Sequence, residues 1–443
     1  MDRRNVLLTI GGSDPSAGAG VQADLKTFQV LGEYGASVIT SVTSQNTSGF
    51  IDRFDLPKEV IRSQIRAIIE DMKVSFAKVG MVGSLDAIKT IAEELSRFEV
   101  PFILDPVMVS STGGVLLEKR ALDILKEDLV ANSYLVTPNA LEAEELTGIK
   151  IKTSEDANSA AYVIQEIGAA NVIITGGHLA GVDLILDSHG EFSLIGEGSE
   201  FVKGDFHGTG CTYTAALTVN LAQGRSLPDA AIFAKRFVTN AIRDSYPVGL
   251  GLKPLNQSQR IIDASWRYIV LEDVKLAISD LLDQEFFTLL PEVGSNIAVA
   301  IPSAETKDDI AAVRGRIVKC GNSAIQVGMV EFGASDHVSR IVLAMMRFDP
   351  DMRACCNIRY SDRIITVCSD IGLELAEFMR EDEPEGSKTM DWGTESVIKK
   401  LGHTPDVIYD TGGFGKEAMI RITGKSGNDL TSKIIKILEV LRS

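Results

Sequence analysis

Cysteine is scarce in this 443-residue sequence: five residues, at 211, 320, 355, 356 and 368, with no Cys-x-x-Cys pair among them. So odd and scattered a set excludes a disulfide framework and a thiolate zinc site, and fits a reducing, cytoplasmic setting. Positive charge is short too, leaving a formal net charge of −17. That argues against nucleic acid or an anionic membrane as partner and for small molecules. No hydrophobic run approaches the length that spans a bilayer. The opening run at 6–10 is cut by Gly11, Gly12 and Asp14, well short of a signal-peptide core. There is no internal repeat and no low-complexity linker.

What is present is ordinary for a folded protein, with 45% hydrophobic and 24% charged residues. The length exceeds what one core supports, so two or more domains are expected. The chain is organised around residues 204–211, Gly-Asp-Phe-His-Gly-Thr-Gly-Cys, which run directly into an apolar segment of helical spacing. Backbone N–H groups of 208–211 are thereby aimed from a helix start at an anion. Gly208 and Gly210, on either side of Thr209, permit the turn that brings them there. Cys211 falls where the helix dipole favours a thiolate, to serve as base or as phosphate ligand.

Ahead of that stretch, strand-like runs alternate with helical ones. Residues 6–10 read as a buried strand, followed by a glycine-rich loop over 11–20 and a helix spaced by Val21, Leu25 and Phe28. The loop lacks both Gly-x-Gly-x-x-Gly and a Gly-Lys-Ser/Thr ending, so it suits closure over a small substrate better than a phosphate cradle. A β-branched run at 37–43 delivers Gln45 into the next loop, where its amide can pair with a heteroaromatic amine. Runs at 77–82, 101–107, 134–139 and 171–178 read as further strands, and Asp105 at one strand end is a candidate magnesium-water ligand. Glu142, in the first turn of the next helix, serves the helix dipole or, with Asn139, contacts a magnesium triphosphate through water. Alternation sustained over about 250 residues implies a parallel sheet with helices on both faces and sites at the strands' carboxyl ends.

Six separated motifs in order resemble the hydroxymethylpyrimidine/phosphomethylpyrimidine kinases of the ribokinase-like superfamily. They are the stretch 9–28, Ser37-Val-Ile-Thr, Gln45-Asn-Thr, Leu104-Asp-Pro-Val-Met, Val136-Thr-Pro-Asn and His207-Gly-Thr-Gly-Cys-Thr. The resemblance runs from about residue 4 to about residue 255 and implies a three-layer α/β sandwich with a mostly parallel sheet for a domain at 1–258. It also implies ATP and magnesium as cofactors, and two phosphorylations, of 4-amino-5-hydroxymethyl-2-methylpyrimidine and then of its monophosphate. By position it puts Gly12, Gln45, Met81 and Val107 around the pyrimidine, and makes 208–211 the anion hole. Cys211 takes the place where many ribokinase-like enzymes have a catalytic aspartate. Asn139, Glu142 and Thr175 fall on the nucleotide side, and Asp105 and Glu142 on magnesium. A homodimer is the family's expectation. Two departures stand out: Thr175 occupies a position where the family commonly has lysine, which removes one nucleotide-phosphate contact, and Asp205-Phe206 replaces Asn-Thr. Pyridoxal and sugar kinases share the fold, but Gln45 and the 207–211 stretch favour a pyrimidine.

Glycine and proline punctuation at 246–255 marks the end of the first domain and places a junction at 256–265. Residues 267–290 then read as helical, with Val274, Ile278, Leu281 and Leu282 on the apolar face, and 295–301 as a strand. Arg314 and Arg316 flank Gly315 on one short segment, 313–319, suited to bidentate phosphate contact. His337 and Arg340 follow a strand and open a helix at 338–348. The segment 410–416, ending at Lys416, is a second glycine-rich, cation-bearing loop or a hairpin turn.

Together Arg314-Gly-Arg-Ile, the stretches 332–341 and 353–360, and the 410–416 loop resemble the ThiN-type thiamine-phosphate synthase domain, a second, smaller α/β domain at 265–443. The resemblance implies condensation of the pyrimidine diphosphate with 4-methyl-5-(2-phosphoethyl)thiazole, with release of diphosphate. Arg316 and His337 match catalytic positions, and Arg314, Arg340, Arg353, Arg359 and Lys416 would hold the anionic substrates. The alternative is a non-catalytic domain that senses thiamine phosphate and restrains the kinase. Arg316, His337 and the absence of an obvious helix-turn-helix favour the enzyme.

Overall fold

A run such as Val-Leu-Leu-Thr-Ile offers no polar face, so its strand has to be covered on both sides. In β1 (Val6–Ser13) six consecutive residues are buried. The computed structural model describes residues 4–108, 121–176, 181–196, 202, 204–380, 389–413 and 416–443. It divides into two units, Met1–Gln259 and Arg260–Ser443.

In the first unit β1 is followed by α1 (Gly20–Val30), β2 (Tyr34–Asn46), β3 (Gly49–Asp55), α2 (Lys58–Ile69), β4 (Val74–Val79), α3 (Leu85–Arg97) and β5 (Phe102–Leu104). Next come α4 (Leu122–Ile124), β6 (Leu135–Val136), α5 (Ala140–Thr147), α6 (Ser154–Ile167), β7 (Val172–Ile174), β8 (Asp183–Leu186) and β9 (Phe192–Ile195). The unit closes with β10 (Phe206–His207), α7 (Thr209–Ala222), α8 (Leu227–Arg243) and β11 (Lys253–Pro254). Nine strands form one sheet in the order β3-β2-β1-β4-β5-β6-β7-β8-β9. Pairing is parallel from β2 through β7 and antiparallel at both edges.

Alternate residues of the central strands feed two cores. Phe102, Leu104, Val136 and Ile174 pack with Ile65, Ile88, Ile91 and Ile164 on one face. Ile103, Leu135 and Ile173 pack with Ala216, Leu217, Ala231 and Phe237 on the other. This is the three-layer sandwich expected from the sequence. The strands expected at 101–107 and 134–139 are shorter than their apolar runs, because Pro101, Pro106 and Pro138 have no N–H for a ladder. Of the run expected at 171–178, only Val172–Ile174 is strand, and residues 177 and 178 lie outside the described residues. Strand order reverses at β1, which lies between β2 and β4, and a crevice opens there at the carboxyl ends.

A long helix, α9 (Gln259–Leu282), leads into the second unit. There follow β12 (Ile297–Ala300), β13 (Ile310–Val313), β14 (Arg316–Cys320), β15 (Ser323–Val327), β16 (Val330–Phe332), α10 (His337–Met346), β17 (Ala354–Arg359) and α11 (Asp362–Asp370). The unit ends with β18 (Leu375–Glu377), α12 (Thr389–Leu401), β19 (Val407–Asp410), β20 (Met419–Gly424) and α13 (Gly427–Arg442). Seven of these strands make a sheet in the order β16-β13-β12-β17-β20-β19-β18, while β14 and β15 form a separate hairpin. Ile297, Val299, Ile358, Ile420 and Ile422 pack with Val274, Ile278, Ile434 and Ile437 on one face. Ala298, Ala312 and Cys355 pack with Val338, Ile341 and Met345 of α10 on the other.

Two expectations change here. Helix α9 spans 259–282 rather than 267–290, so much of the expected junction is itself helical. Asn256 Nδ2 donates to Gln259 Oε1 at its start, and the helix gives way to a separate turn at Phe286–Thr288 before Pro291. The segment 313–319 is not one piece: Gly315 has φ +94°, which ends β13 and turns the chain into β14.

Candidate active sites

The crevice of the first unit holds a cavity of about 380 Å³. Every residue the sequence points to in this unit lines it: Gly12, Gln45, Met81, Asp105, Val107, Asn139, Glu142, Thr175 and 208–211. Gly12 packs against the Met81 side chain: a Cβ there would sit 2.7 Å from Met81 Sδ, so a larger residue would require Met81 to move. Gln45 Oε1 is buried with no hydrogen-bond partner among the described residues. Gly208 has φ +90° and precedes α7 as a cap without a side chain, leaving the N–H groups at the helix start for an incoming anion. A Cβ on Gly210 would lie 3.8 Å from Asp105 Oδ2, so this helix start faces that carboxylate.

The carboxylates here want a cation. Asp105 Oδ2 is buried without a hydrogen-bond partner among the described residues, and Lys78 Nζ is 3.8 Å from it. Burial pushes the Asp105 carboxyl up to about 6, with Lys78 pulling it down and Asp24 pushing it up. Burial and then neighbouring Asp105 push Glu142 up to about 8. Glu142 also caps its own helix. Its Oε2 accepts from Asn139 N at 2.9 Å while Asn139 Oδ1 accepts from Glu142 N at 3.0 Å, a reciprocal pair at the start of α5. Two hard oxygen donors fit magnesium, which keeps waters and takes its remaining ligands from phosphates. Consistent with that, the described residues contain no group of three or more side chains able to hold a metal by themselves.

Cys211 departs from the expected thiolate. It is half-buried at the cavity wall, and burial pushes its thiol up to about 12 despite the opposing pull of Lys78. Lys78 belongs to none of the sequence motifs. It is 1% exposed, within 2.9 and 3.0 Å of the two carboxylate oxygens of Asp24, whose Oδ2 also accepts from Thr9 Oγ1 at 2.6 Å. A lone charge inside a strand covered on both faces was the available signal.

Asp14 and His207 stand within the motifs, but the sequence assigns neither of them a role. Asp14 accepts hydrogen bonds from Ser16 N, Gly18 N and Ala19 N, and His207 Nε2 lies 2.9 Å from its Oδ2. The glycine-rich loop is thereby tied to the residue that opens the anion hole. Burial pushes the Asp14 carboxyl up, but hydrogen bonds from His207, Ser16 and Ala19 outweigh it and hold the group at about 2. A depressed carboxyl adds stability above its unfolded value that is lost as pH falls through the folded one. Asp14→Asn is therefore expected to cost about 2 kcal/mol at pH 7, the gap closing between about pH 4 and pH 2. Urea unfolding of both proteins across that range is the check, and a gap constant with pH would refute it.

The second unit holds a cavity of about 740 Å³ lined by Arg316, His337, Arg340 and Lys416, as expected. His337 is the first residue of α10, and Arg340 Nη2 pairs with Asp336 Oδ2 at 2.7 Å. Arg316 donates to Val293 O. Arg314 and Arg353 are not brought to this cavity. The turn at Gly315 sends Arg314 outward to pair with Glu331 at 2.9 Å. Arg353 instead lies over the Trp266 ring and donates to Ala300 O. Arg359 does not line the cavity either. Arg380 and Arg421, which no sequence motif marks, do.

A family model for phosphomethylpyrimidine kinase matches residues 14–256, and one for thiamine-phosphate synthase ThiN matches residues 273–436. The chain is 35% identical over 98% of its length, and 99% of the other's, to a bifunctional thiamine biosynthesis protein ThiDN of Methanocaldococcus jannaschii. It is 40% identical to a hydroxymethylpyrimidine/phosphomethylpyrimidine kinase of Streptomyces coelicolor, over 57% of this chain and 93% of that one. Among solved structures, an ADP complex of Bacillus subtilis pyridoxal kinase superposes with a TM-score of 0.54 at 33% identity, covering 59% of this chain and all of that one.

Proposed function

The chain belongs to the bifunctional thiamine-biosynthesis enzymes that join a phosphomethylpyrimidine kinase to a ThiN thiamine-phosphate synthase, and we propose that each cavity is the active site of one activity. Residues 1–258 carry the kinase and 265–443 the synthase.

In the kinase, the pyrimidine lies against Gly12, Met81 and Val107, and the Gln45 amide pairs with its ring nitrogen and amino group. One observation carries this: a buried, unpartnered Gln45 Oε1 costs about 1–3 kcal/mol until a ligand N–H meets it. ATP is the donor, on the side of Asn139, Glu142 and Thr175; binding of an adenine nucleotide is supported by a pyridoxal kinase relative solved with ADP. The hydroxymethyl oxygen bonds to the γ-phosphorus as the bond to the β,γ-bridging oxygen breaks; ADP leaves with that electron pair, and the hydroxyl proton passes to an oxygen of the transferred phosphoryl group. Such transfer depends on placement and charge neutralisation, which the N–H groups of 208–211 supply. Magnesium held by Asp105 and Glu142, when bound, neutralises phosphate charge. With its thiol protonated, Cys211 acts as a ligand of the phosphoryl group. A second round converts the monophosphate to the diphosphate.

In the synthase, the bond from the pyrimidine methylene to diphosphate breaks, and the leaving oxygens take the electron pair. Arg316 and His337 stabilise that charge. The thiazole nitrogen then bonds to the methylene carbon, giving thiamine phosphate. We also place the protein in the cytoplasm as a homodimer; its cysteines are all free, and no described helix is long and apolar enough to cross a membrane.

The full chain with ATP, magnesium, the free pyrimidine and thiazole phosphate should yield monophosphate, diphosphate and thiamine phosphate in that order by mass spectrometry. Failure to phosphorylate the pyrimidine, with pyridoxal consumed instead, would sink the kinase assignment. Diphosphate accumulating without thiamine phosphate would sink the synthase assignment.

A further inference from the structure

Among the described residues, the lining of the second cavity carries five arginines and lysines, 316, 340, 380, 416 and 421, and two acids, Asp336 and Glu417, in a chain of net charge −17. These cations fall into two groups built differently. Arg316, His337 and Arg340 belong to β14 and to the first turn of α10, and Arg316 and His337 are exposed. Arg380 and Arg421 come from the opposite side of the sheet, where β20, β19 and β18 follow β17 in strand order.

The second group is rigid and deep. Arg421, in the middle of β20, is 2% exposed, and its register partner on β17 is Asn357. Its Nη2 lies 2.8 Å from Asp410 Oδ2, and its guanidinium lies 5.2 Å from the Phe378 ring centre. Arg380 Nε donates to the other oxygen of the same carboxylate at 2.6 Å, and Gly412 N donates to that oxygen at 2.9 Å. Two guanidiniums thus share one carboxylate that is 0% exposed, which fixes both at the cavity wall, where they suit bidentate contact with an anion. The neighbouring amides are already committed: Asn357 Oδ1 accepts from Asn296 N, and its Nδ2 donates to Gly294 O.

Resting on the synthase assignment above, we infer that Arg380 and Arg421, fixed by Asp410, form a binding site for the phosphate monoester of the thiazole substrate, separate from the Arg316–His337 end that takes the diphosphate. The chemistry of the two anions matches the two constructions. The thiazole phosphate takes no part in bond making, so a fixed, buried guanidinium pair can hold it and place the ring nitrogen. The diphosphate gains charge in the reaction and then departs, which suits exposed groups at a helix start.

The test uses the full chain and Arg380→Gln, with Arg380→Lys as the conservative partner; Arg421 is too deeply buried to be the first choice. Arg380→Gln should raise the KM for thiazole phosphate at least tenfold, with the KM for pyrimidine diphosphate and the kinase rates within twofold of wild type. Arg380→Lys should recover part of the loss. Calorimetric titration with thiazole phosphate and with the unphosphorylated thiazole alcohol gives a readout independent of turnover. Wild type should prefer the phosphate form and Arg380→Gln should lose that preference. A rise in the KM for diphosphate alone, or a phosphate preference unchanged in Arg380→Gln, would overturn the inference while leaving the synthase assignment standing. A wild type that binds thiazole phosphate through Arg380 yet never makes thiamine phosphate would retire the synthase assignment and keep the site.

Discussion

Thiamine phosphate formation by Cys211→Ala should fall about 10²-fold when the free pyrimidine is supplied and return to wild-type rate when the pyrimidine diphosphate is supplied. His337→Ala should fail with both, by about 10²–10³-fold. The asymmetry follows from two successive cavities, one presenting a helix start to a phosphoryl group and the other presenting Arg316 and His337 to a leaving diphosphate. The raised Cys211 thiol adds a second expectation. A group pushed up to about 12 is protonated throughout the working range, so wild-type kinase kcat should show no thiol limb between about pH 7 and 10. Should such a limb be seen, and vanish in Cys211→Ala, Cys211 is the general base and its assignment as a phosphoryl ligand is wrong.

Lys78→Met should destabilise the protein by about 3–5 kcal/mol, the range for breaking one partner out of a buried ion pair. The methionine keeps an unbranched stem one heavy atom shorter than lysine, so the loss is chiefly electrostatic. Asp24 and Asp105 would face each other with no cation between them, and Asp24 is already pushed up by burial even with Lys78 present. Removing both partners is a different matter, because a well-packed apolar pair is often neutral relative to a buried ion pair. The double variant Lys78→Met/Asp24→Leu should therefore regain most of the stability in urea unfolding while kinase activity stays low, Cys211 and Asp105 having lost their neighbouring charge. A double variant no more stable than the single one would show that shape, not charge, is what Lys78 supplies.

These predictions separate what could be read from the chain from what could not. Gly12, Gln45, Asp105 and Asn139 were legible because they stand where apolar runs stop, and the end of a run is where a parallel sheet presents its residues; Gly208 was legible because an apolar helical run begins just after it. Lys78 and Asp24 show only as single charges inside elements; that they are partners could not be read, because only the packing of α1 on the sheet brings them together. The family resemblance singles out Arg316 but puts Arg314 and Arg353 at the same site; the φ of Gly315 and the ring of Trp266 decide that only Arg316 of the three meets the cavity. Arg421 was hidden in the run 418–422, where an arginine flanked by isoleucines looks like the solvent side of a strand. That side is instead covered: Arg421 is 2% exposed beneath the Phe378 ring, and Asp410 lies there to receive it.

The start of helix α9 bears on how this chain can be divided. Gln257 Nε2 donates to Thr212 Oγ1 at 3.1 Å, and Asn256 N to Ala241 O at 3.0 Å, so the kinase fold uses its residues through 257. The helix begins at 259. Between them stands Ser258, whose Oγ donates to Asn256 Oδ1 at 3.1 Å. Expressing the synthase half from residue 265 would spare the buried helix face, which begins at Val270, but would discard Asp263, whose carboxylate accepts from Ser303 Oγ at 2.6 Å. A gene split into two independently translated halves keeps every one of these bonds, and that from Asn256 Nδ2 to Gln259 Oε1, within its half when the break falls between Gln259 and Asp263.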